Sequence, residues 1–143
     1  MLKEIDPQEF LTVVRTLYGE ARGEPHEGKH AVMWVILNRA REGTKYGGPT
    51  LEGVCRKKWQ FSCWNEGDPM RAKLLTASIN KLANCVRAAL EVLEGKIADP
   101  TGGANHYLNP EVTRKIQPSG QLPSWAREDA ITAKIGLHWF YKL

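Results

Sequence analysis

The stretch Leu17-Tyr-Gly-Glu-Ala-Arg-Gly-Glu-Pro25 places a carboxylate, Glu20, at the end of an apolar helical stripe. Phe10, Val13, Val14, Leu17 and Ala21 follow the three-and-four spacing of a buried helix face, and Glu20 falls on or beside that face. Gly23 and Pro25 then stop the helix. A carboxyl group there meets the negative end of the helix dipole and loses part of its water, and both effects disfavour its charged form. A carboxylic acid that stays protonated near neutral pH is what general-acid catalysis requires. The alternative reading is a glutamate at the helix edge that snorkels its head into water.

The surrounding chain reads as a set of capped helices. Asp6-Pro7-Gln8-Glu9 has the cap, the first-turn proline and the following glutamate of a helix start, so the first helix runs from about Pro7 to Arg22. A second helix begins near Pro25 and carries Ala31-Val-Met-Trp-Val-Ile-Leu-Asn38, which is apolar nearly all round and predicts a central, buried helix. Thr50 caps a short turn through Val54, after a Gly-rich loop over residues 44–49. Asp68-Pro69 opens one or two further helices that reach Glu94, with Leu74, Leu75, Ile79, Leu82, Val86, Leu90 and Leu93 spaced for burial and Gly95 as the stop. Asp99-Pro-Thr-Gly-Gly103 is a turn cluster, and residues 117–123 form a polar loop. At the C-terminus Ile131, Ala133, Ile135, Leu137, Trp139 and Tyr141 alternate with polar residues, which predicts a strand.

With 143 residues, 42% hydrophobic and 25% charged, the chain reads as one globular domain over residues 1–143, with a mainly α fold and a small β element. No apolar run approaches the ~20 residues of a membrane span, and the first residues show no apolar leader, so a protein made in the cytoplasm without a signal peptide is expected. Cys55, Cys63 and Cys85 read as reduced thiols, with a Cys55–Cys63 bridge as the alternative. The net charge of +4 suits a polyanionic partner, but no signature of a nucleic-acid-binding fold is present and Arg56-Lys57-Lys58 is the only tight basic run. A monomer is expected.

Three further segments carry chemistry. His26-Glu-Gly-Lys-His30 matches the zinc-hydrolase motif HExxH. The first histidine directly follows a proline, Gly28 sits inside the motif, and no spacing marks a third ligand, so no metal or other cofactor is expected there. A zinc-dependent peptidase or an amidase using His26 and His30 is the alternative function. Trp59-Gln-Phe-Ser-Cys-Trp64 offers aromatic faces for a sugar and an amide, Gln60, for its hydroxyl or N-acetyl groups; Trp64 is the candidate stacking wall. The turn Asp99-Pro-Thr-Gly-Gly-Ala-Asn-His-Tyr-Leu-Asn-Pro110 presents Asn105, His106, Tyr107 and Asn109 as hydrogen-bonding groups.

Taken together, Tyr18-Gly-Glu-Ala-Arg-Gly-Glu-Pro25, Glu27-Gly28, Ala31-Val32, Val35-Ile-Leu-Asn-Arg39, Gln60-Phe-Ser62, Asp99-Pro-Thr-Gly-Gly-Ala104, Tyr107, Asn109-Pro110, Ile135-Gly136, His138 and Phe140 resemble the SleB-type cell-wall hydrolases along most of the chain. The resemblance implies a lysozyme-like single domain that cuts the glycan strands of bacterial peptidoglycan, mainly as a lytic transglycosylase. It places the catalytic acid/base on Glu20. By their residue types and positions, Glu24, Gln60, Asn105 and Tyr107 are the expected substrate contacts and Trp64 a stacking wall, with Glu24 holding Arg22 or a loop as the alternative. A second carboxylate, if one is needed, would be Glu24 or Asp99. Family members often carry Tyr where His26 stands and an apolar residue where His30 stands, which detaches the HExxH match from the family's chemistry. The lack of a leader and of a separate binding domain resembles a phage endolysin, which would wait in the host cytoplasm and reach the periplasmic wall once the membrane is opened.

Overall fold

The computed structural model describes residues 5–143, so the N-terminal residues 1–4, on which part of the no-leader reading rests, lie outside the described residues. The chain forms α1 (Pro7–Ala21), α2 (His26–Arg41), α3 (Leu51–Arg56), α4 (Pro69–Thr76), α5 (Ile79–Leu93), β1 (His106–Leu108), α6 (Pro110–Ile116), β2 (Ile131–Ile135) and β3 (His138–Tyr141). The helix starts are chemically explicit. Asp6 accepts from the Glu9 amide, Thr50 from Gly53, Asp68 from Met70, Ser78 from Lys81 and Asn109 from Val112, so each cap satisfies one orphan donor of its first turn. Gly95, at φ 76°, takes up the left-handed position just past α5.

The α2 helix is central, as its all-round apolar sequence predicts, with twelve of its sixteen residues buried. Val32, Met33 and Ile36 pack into a helical core with Val13, Val14 and Leu17 of α1 and Leu82, Ala89 and Val92 of α5. Ala31 and Val35 face the other way, onto Ile135 and Phe140 of the sheet and Ala104 of the turn before it. One helix thus belongs to both halves of the molecule, and the sheet is fixed relative to α1 through it.

Three features differ from the sequence expectation. The C-terminal segment is not one strand but a hairpin, with Ile135 opposite His138 and the turn at Gly136-Leu137. The alternation continues across the turn, so period alone hides it; Gly136 reverses the chain at φ 59°, a conformation glycine adopts without a Cβ penalty. The sheet order is β1-β3-β2, all antiparallel, with a bulge in β2 between Ile131 and Ala133. Residues 69–93 make two helices, as one of the two expected arrangements has it, but the break at Ala77-Ser78 resets the helical phase and leaves Leu75 and Ile79 exposed rather than buried. Asn109-Pro110 begins α6, a helix that carries the same cap-plus-proline signal as α1 and α4 but was not expected.

Candidate functional site

Glu20 lies in the last turn of α1, on the floor of a cleft of about 330 Å³ whose walls include Arg39, Phe61, Tyr107, Asn109 and His138. Burial pushes its carboxyl group above the usual carboxylate range; hydrogen bonds from Tyr107 and Cys63 and the positive charge of Arg39 pull the other way without overcoming it. The Tyr107 hydroxyl donates to Glu20 Oε1 at 2.5 Å. The same burial, together with the neighbouring Glu20 charge, holds the Tyr107 phenol well above its ordinary value, so it remains a donor. The snorkelling alternative is therefore not the one the fold adopts.

Tyr107 reaches Glu20 because two distant sequence motifs form one joint. Asn38, at the end of α2, donates from Nδ2 to Asp99 Oδ2 at 3.0 Å and to the Ala104 carbonyl at 2.9 Å. Asp99 in turn accepts from the Thr101 amide, the Thr101 hydroxyl and the Gly103 amide, which closes the turn over residues 99–104. Burial pushes the Asp99 carboxyl up, but these hydrogen bonds outweigh it and leave the group below its ordinary value. Arg39 Nε donates to the Asn105 carbonyl at 2.7 Å, fixing the start of β1. The next residues pair with β3, Tyr107 opposite Phe140, and the Tyr107 ring packs edge-on against His138 at 5.0 Å.

Arg39, the last residue of the Val35–Arg39 segment, also lines the cleft around Glu20. It is buried, its Nη1 has no hydrogen-bond partner, and its guanidinium lies over the rings of Tyr46 and Phe61 at 5.4 and 5.3 Å. Burial lowers its pKa, while Tyr107, Tyr46 and Glu20 favour its charge. Cys63 was not expected at the site. It packs so tightly on Gly19 that a Cβ there would stand 2.8 Å from the Cys63 sulfur. The glycine preceding Glu20 is thus what lets the Cys63 segment close on α1. Cys55, Cys63 and Cys85 are buried free thiols, and burial pushes Cys55 up to about 12, in line with the reduced reading.

The remaining expected contacts separate. Glu24 borders a smaller hollow beside Glu20, but its Oε1 accepts from the Leu137 amide at 3.1 Å and lies 3.4 Å from His138 Nδ1, so it holds the hairpin turn. A Cβ on Gly136 would collide with that carboxylate. Gln60 lines the cleft, yet its Nε2 donates to the Tyr46 and Val54 carbonyls, each at 2.8 Å, pinning two loops together. Asn105 is not available to a ligand: it is buried, donates to Glu42 and the Leu143 carbonyl, and accepts from the Leu143 amide. Trp64 is not a wall of the Glu20 cleft. Its indole N–H donates to Thr16 Oγ1 at 2.8 Å, Arg56 covers its face, and with Trp59 it lines a separate hollow of about 350 Å³. In each case a buried polar group found a nearby partner within the fold, as buried polar groups generally do. Asp99, the other carboxylate weighed as a second acid, is spent on its own turn and does not line the cleft.

Comparison with known proteins bears on this arrangement. Residues 23–141 match the model of a family described as cell wall hydrolases, a span that begins just after Glu20. The spore cortex-lytic enzyme of Halalkalibacterium halodurans is 34% identical over 90% of this chain and 33% of its own length; that of Bacillus cereus is 31% identical over 91% and 42%. The chain thus spans less than half the length of these curated relatives. Among solved structures, the catalytic domain of the germination-specific lytic transglycosylase SleB from Bacillus anthracis superposes with a TM-score of 0.72 at 27% identity, covering 99% of this chain and 100% of that one. The superposition includes α1, and the mainly helical, lysozyme-like architecture with a small sheet is the one expected from sequence. The chain belongs to the cell wall hydrolase family.

Proposed function

We propose that the protein cleaves the β-1,4 bond between N-acetylmuramic acid and N-acetylglucosamine in bacterial peptidoglycan, as a lytic transglycosylase with Glu20 as the single general acid and base. One observation carries this reading: Glu20 is a half-buried carboxyl group whose pKa desolvation raises, in a cleft, with a phenol donor on one oxygen. In the first step Glu20 gives its proton to the leaving glycosidic oxygen. The carboxylate left behind is supported by the Tyr107 hydroxyl and by the Arg39 charge. In the second step that carboxylate takes the proton of the muramyl 6-hydroxyl, whose oxygen closes a 1,6-anhydro ring, and Glu20 returns to its starting form.

Conventional hydrolysis with retention or inversion uses two carboxyl groups flanking the bond. Glu24 and Asp99 are both committed to holding turns, which favours the one-carboxylate route. The names of the relatives direct attention to cortex peptidoglycan, and the net charge of +4 favours approach to an anionic wall. Action as a monomer, released to the wall through an opened membrane in the manner of a phage endolysin, belongs to this proposal. No helix among the described residues is long and apolar enough to cross a membrane.

The test is product analysis on purified sacculi. The proposal expects anhydromuramyl ends from the wild type and loss of about 10²–10⁴-fold in rate for Glu20→Gln, the range of a general acid. Reducing muramyl ends would replace the transglycosylase by a muramidase. Freed stem peptides, with activity abolished by a chelator, would move the chemistry to an amidase or zinc peptidase at His26 and His30.

A further inference from the structure

The HExxH histidines, left without a third ligand by the sequence, have one in the fold. His26 and His30 stand one helical turn apart on the same face of α2. Glu91, on α5, faces them: its Oε1 lies 2.6 Å from His26 Nε2 and 2.9 Å from His30 Nε2. One ligand atom from each residue falls within 4.8 Å of the other two. The two imidazole rings meet edge-on with centroids 4.4 Å apart, so both direct the same nitrogen at one point.

We propose that His26, His30 and Glu91 bind one divalent transition-metal ion of the zinc class, which clamps the first turn of α2 to α5 and has no part in glycan cleavage. Two imidazole nitrogens and one carboxylate oxygen suit zinc and its neighbours, whereas calcium and magnesium take oxygen ligands. In a tetrahedral zinc site with bonds of about 2.0–2.1 Å, ligand atoms stand roughly 3.3 Å apart. Glu91 therefore needs to part from each histidine by less than about 1 Å for an ion to enter. His30 is buried, at 8% side-chain exposure, while His26 and Glu91 are about one-third exposed, which leaves a path for the ion and room for a water as fourth ligand.

Glu27, which a metallopeptidase would use as its base, is exposed and makes no recorded contact with the three-residue cluster. None of the three ligands lines the cleft around Glu20. The clamp instead steadies the helix start that follows Glu24, whose backbone carbonyl already accepts from Lys29 Nζ at 2.6 Å.

The metal site itself does not depend on the proposed activity and is tested by binding; only its separation from glycan cleavage rests on that reading. Chelator-treated protein is titrated with zinc by calorimetry and with cobalt by absorption spectroscopy, and its melting temperature is followed. Expected are one ion per chain, the visible bands of tetrahedral cobalt, and a rise in Tm with zinc. His26→Ala and Glu91→Gln, both at part-exposed positions, should each weaken binding at least about tenfold, the loss of one ligand's share, and remove the Tm rise while keeping the helical circular dichroism of the wild type. Absence of stoichiometric binding by the wild type, or undiminished binding by both variants, overturns the site. Loss of sacculus cleavage on zinc removal, repeated in the folded variants, overturns its assignment as structural.

Discussion

Glu20 and Glu91 sit on α1 and α5, two helices packed against each other, and the fold treats their carboxyl groups in opposite ways. Around Glu20 there is desolvation, a phenol, a thiol and one guanidinium held mostly by other contacts; desolvation dominates and raises its pKa. Around Glu91 there are hydrogen bonds from His30 and His26, with solvent nearby, and these lower its pKa. The same functional group is pushed toward its acid form in one place and toward its carboxylate form in the other. What decides between them is the degree of desolvation and whether the neighbours donate hydrogen bonds strongly enough to offset it.

The contrast breaks most sharply at Tyr107. Tyr107→Phe keeps the ring against His138 and Phe140 but removes the donor to Glu20. A hydrogen bond to a charged group is worth about 1.5–3 kcal/mol, so activity on sacculi is expected to fall roughly 10–100-fold. Because the Tyr107 bond lowers the Glu20 pKa, its removal should move the alkaline limb of the pH–rate profile to higher pH, a shift that a purely structural role would not produce. Glu91 should titrate unchanged in this variant.

Gly136→Ala is the next effect in size. It forces a side chain into a positive φ and against the Glu24 carboxylate, with an expected loss of about 1–3 kcal/mol in denaturant unfolding. The loss should be smaller when combined with Glu24→Ala, since the collision is then gone while the backbone strain persists. Smallest is Trp64→Phe. It loses the bond to Thr16 and about 0.5–1.5 kcal/mol of stability, but leaves sacculus cleavage near wild type because Trp64 borders a different hollow. A large loss of activity with stability intact would return Trp64 to the substrate path.

These positions also show what could be read from the chain. Glu20 was legible because the apolar spacing of α1 places it beside the core, and the caps at Asp6 and Asp68 state their helix starts locally. The cap at Asn109 carries the same signal but is embedded in a turn-rich stretch, where a loop reads equally well. The roles of Gln60, Trp64 and Asn105 were not legible. Their residue types suit a sugar, but equally suit the loop carbonyls, the Thr16 hydroxyl and the chain terminus that they meet. Periodicity states which face is buried, not which distant group arrives there. The Tyr107–Glu20 pair spans 87 residues and the His30–Glu91 pair 61, and each depends on how α2 orders the elements on both sides of it.

The account rests on the Glu20 pKa being raised and the Glu91 pKa being lowered, and thermodynamic linkage gives each a signature. With its folded pKa raised, Glu20 contributes stability that is present below the ordinary carboxylate range and is lost as pH rises through its own titration; Glu91, with its pKa lowered, contributes stability at higher pH that is lost as pH falls. The most direct measurement is a carboxyl carbon NMR titration of the folded protein, with Glu20→Gln and Glu91→Gln assigning the two resonances. The account predicts that Glu20 titrates above the ordinary glutamate value and Glu91 below it. A Glu20 resonance that titrates at or below the ordinary value would contradict it.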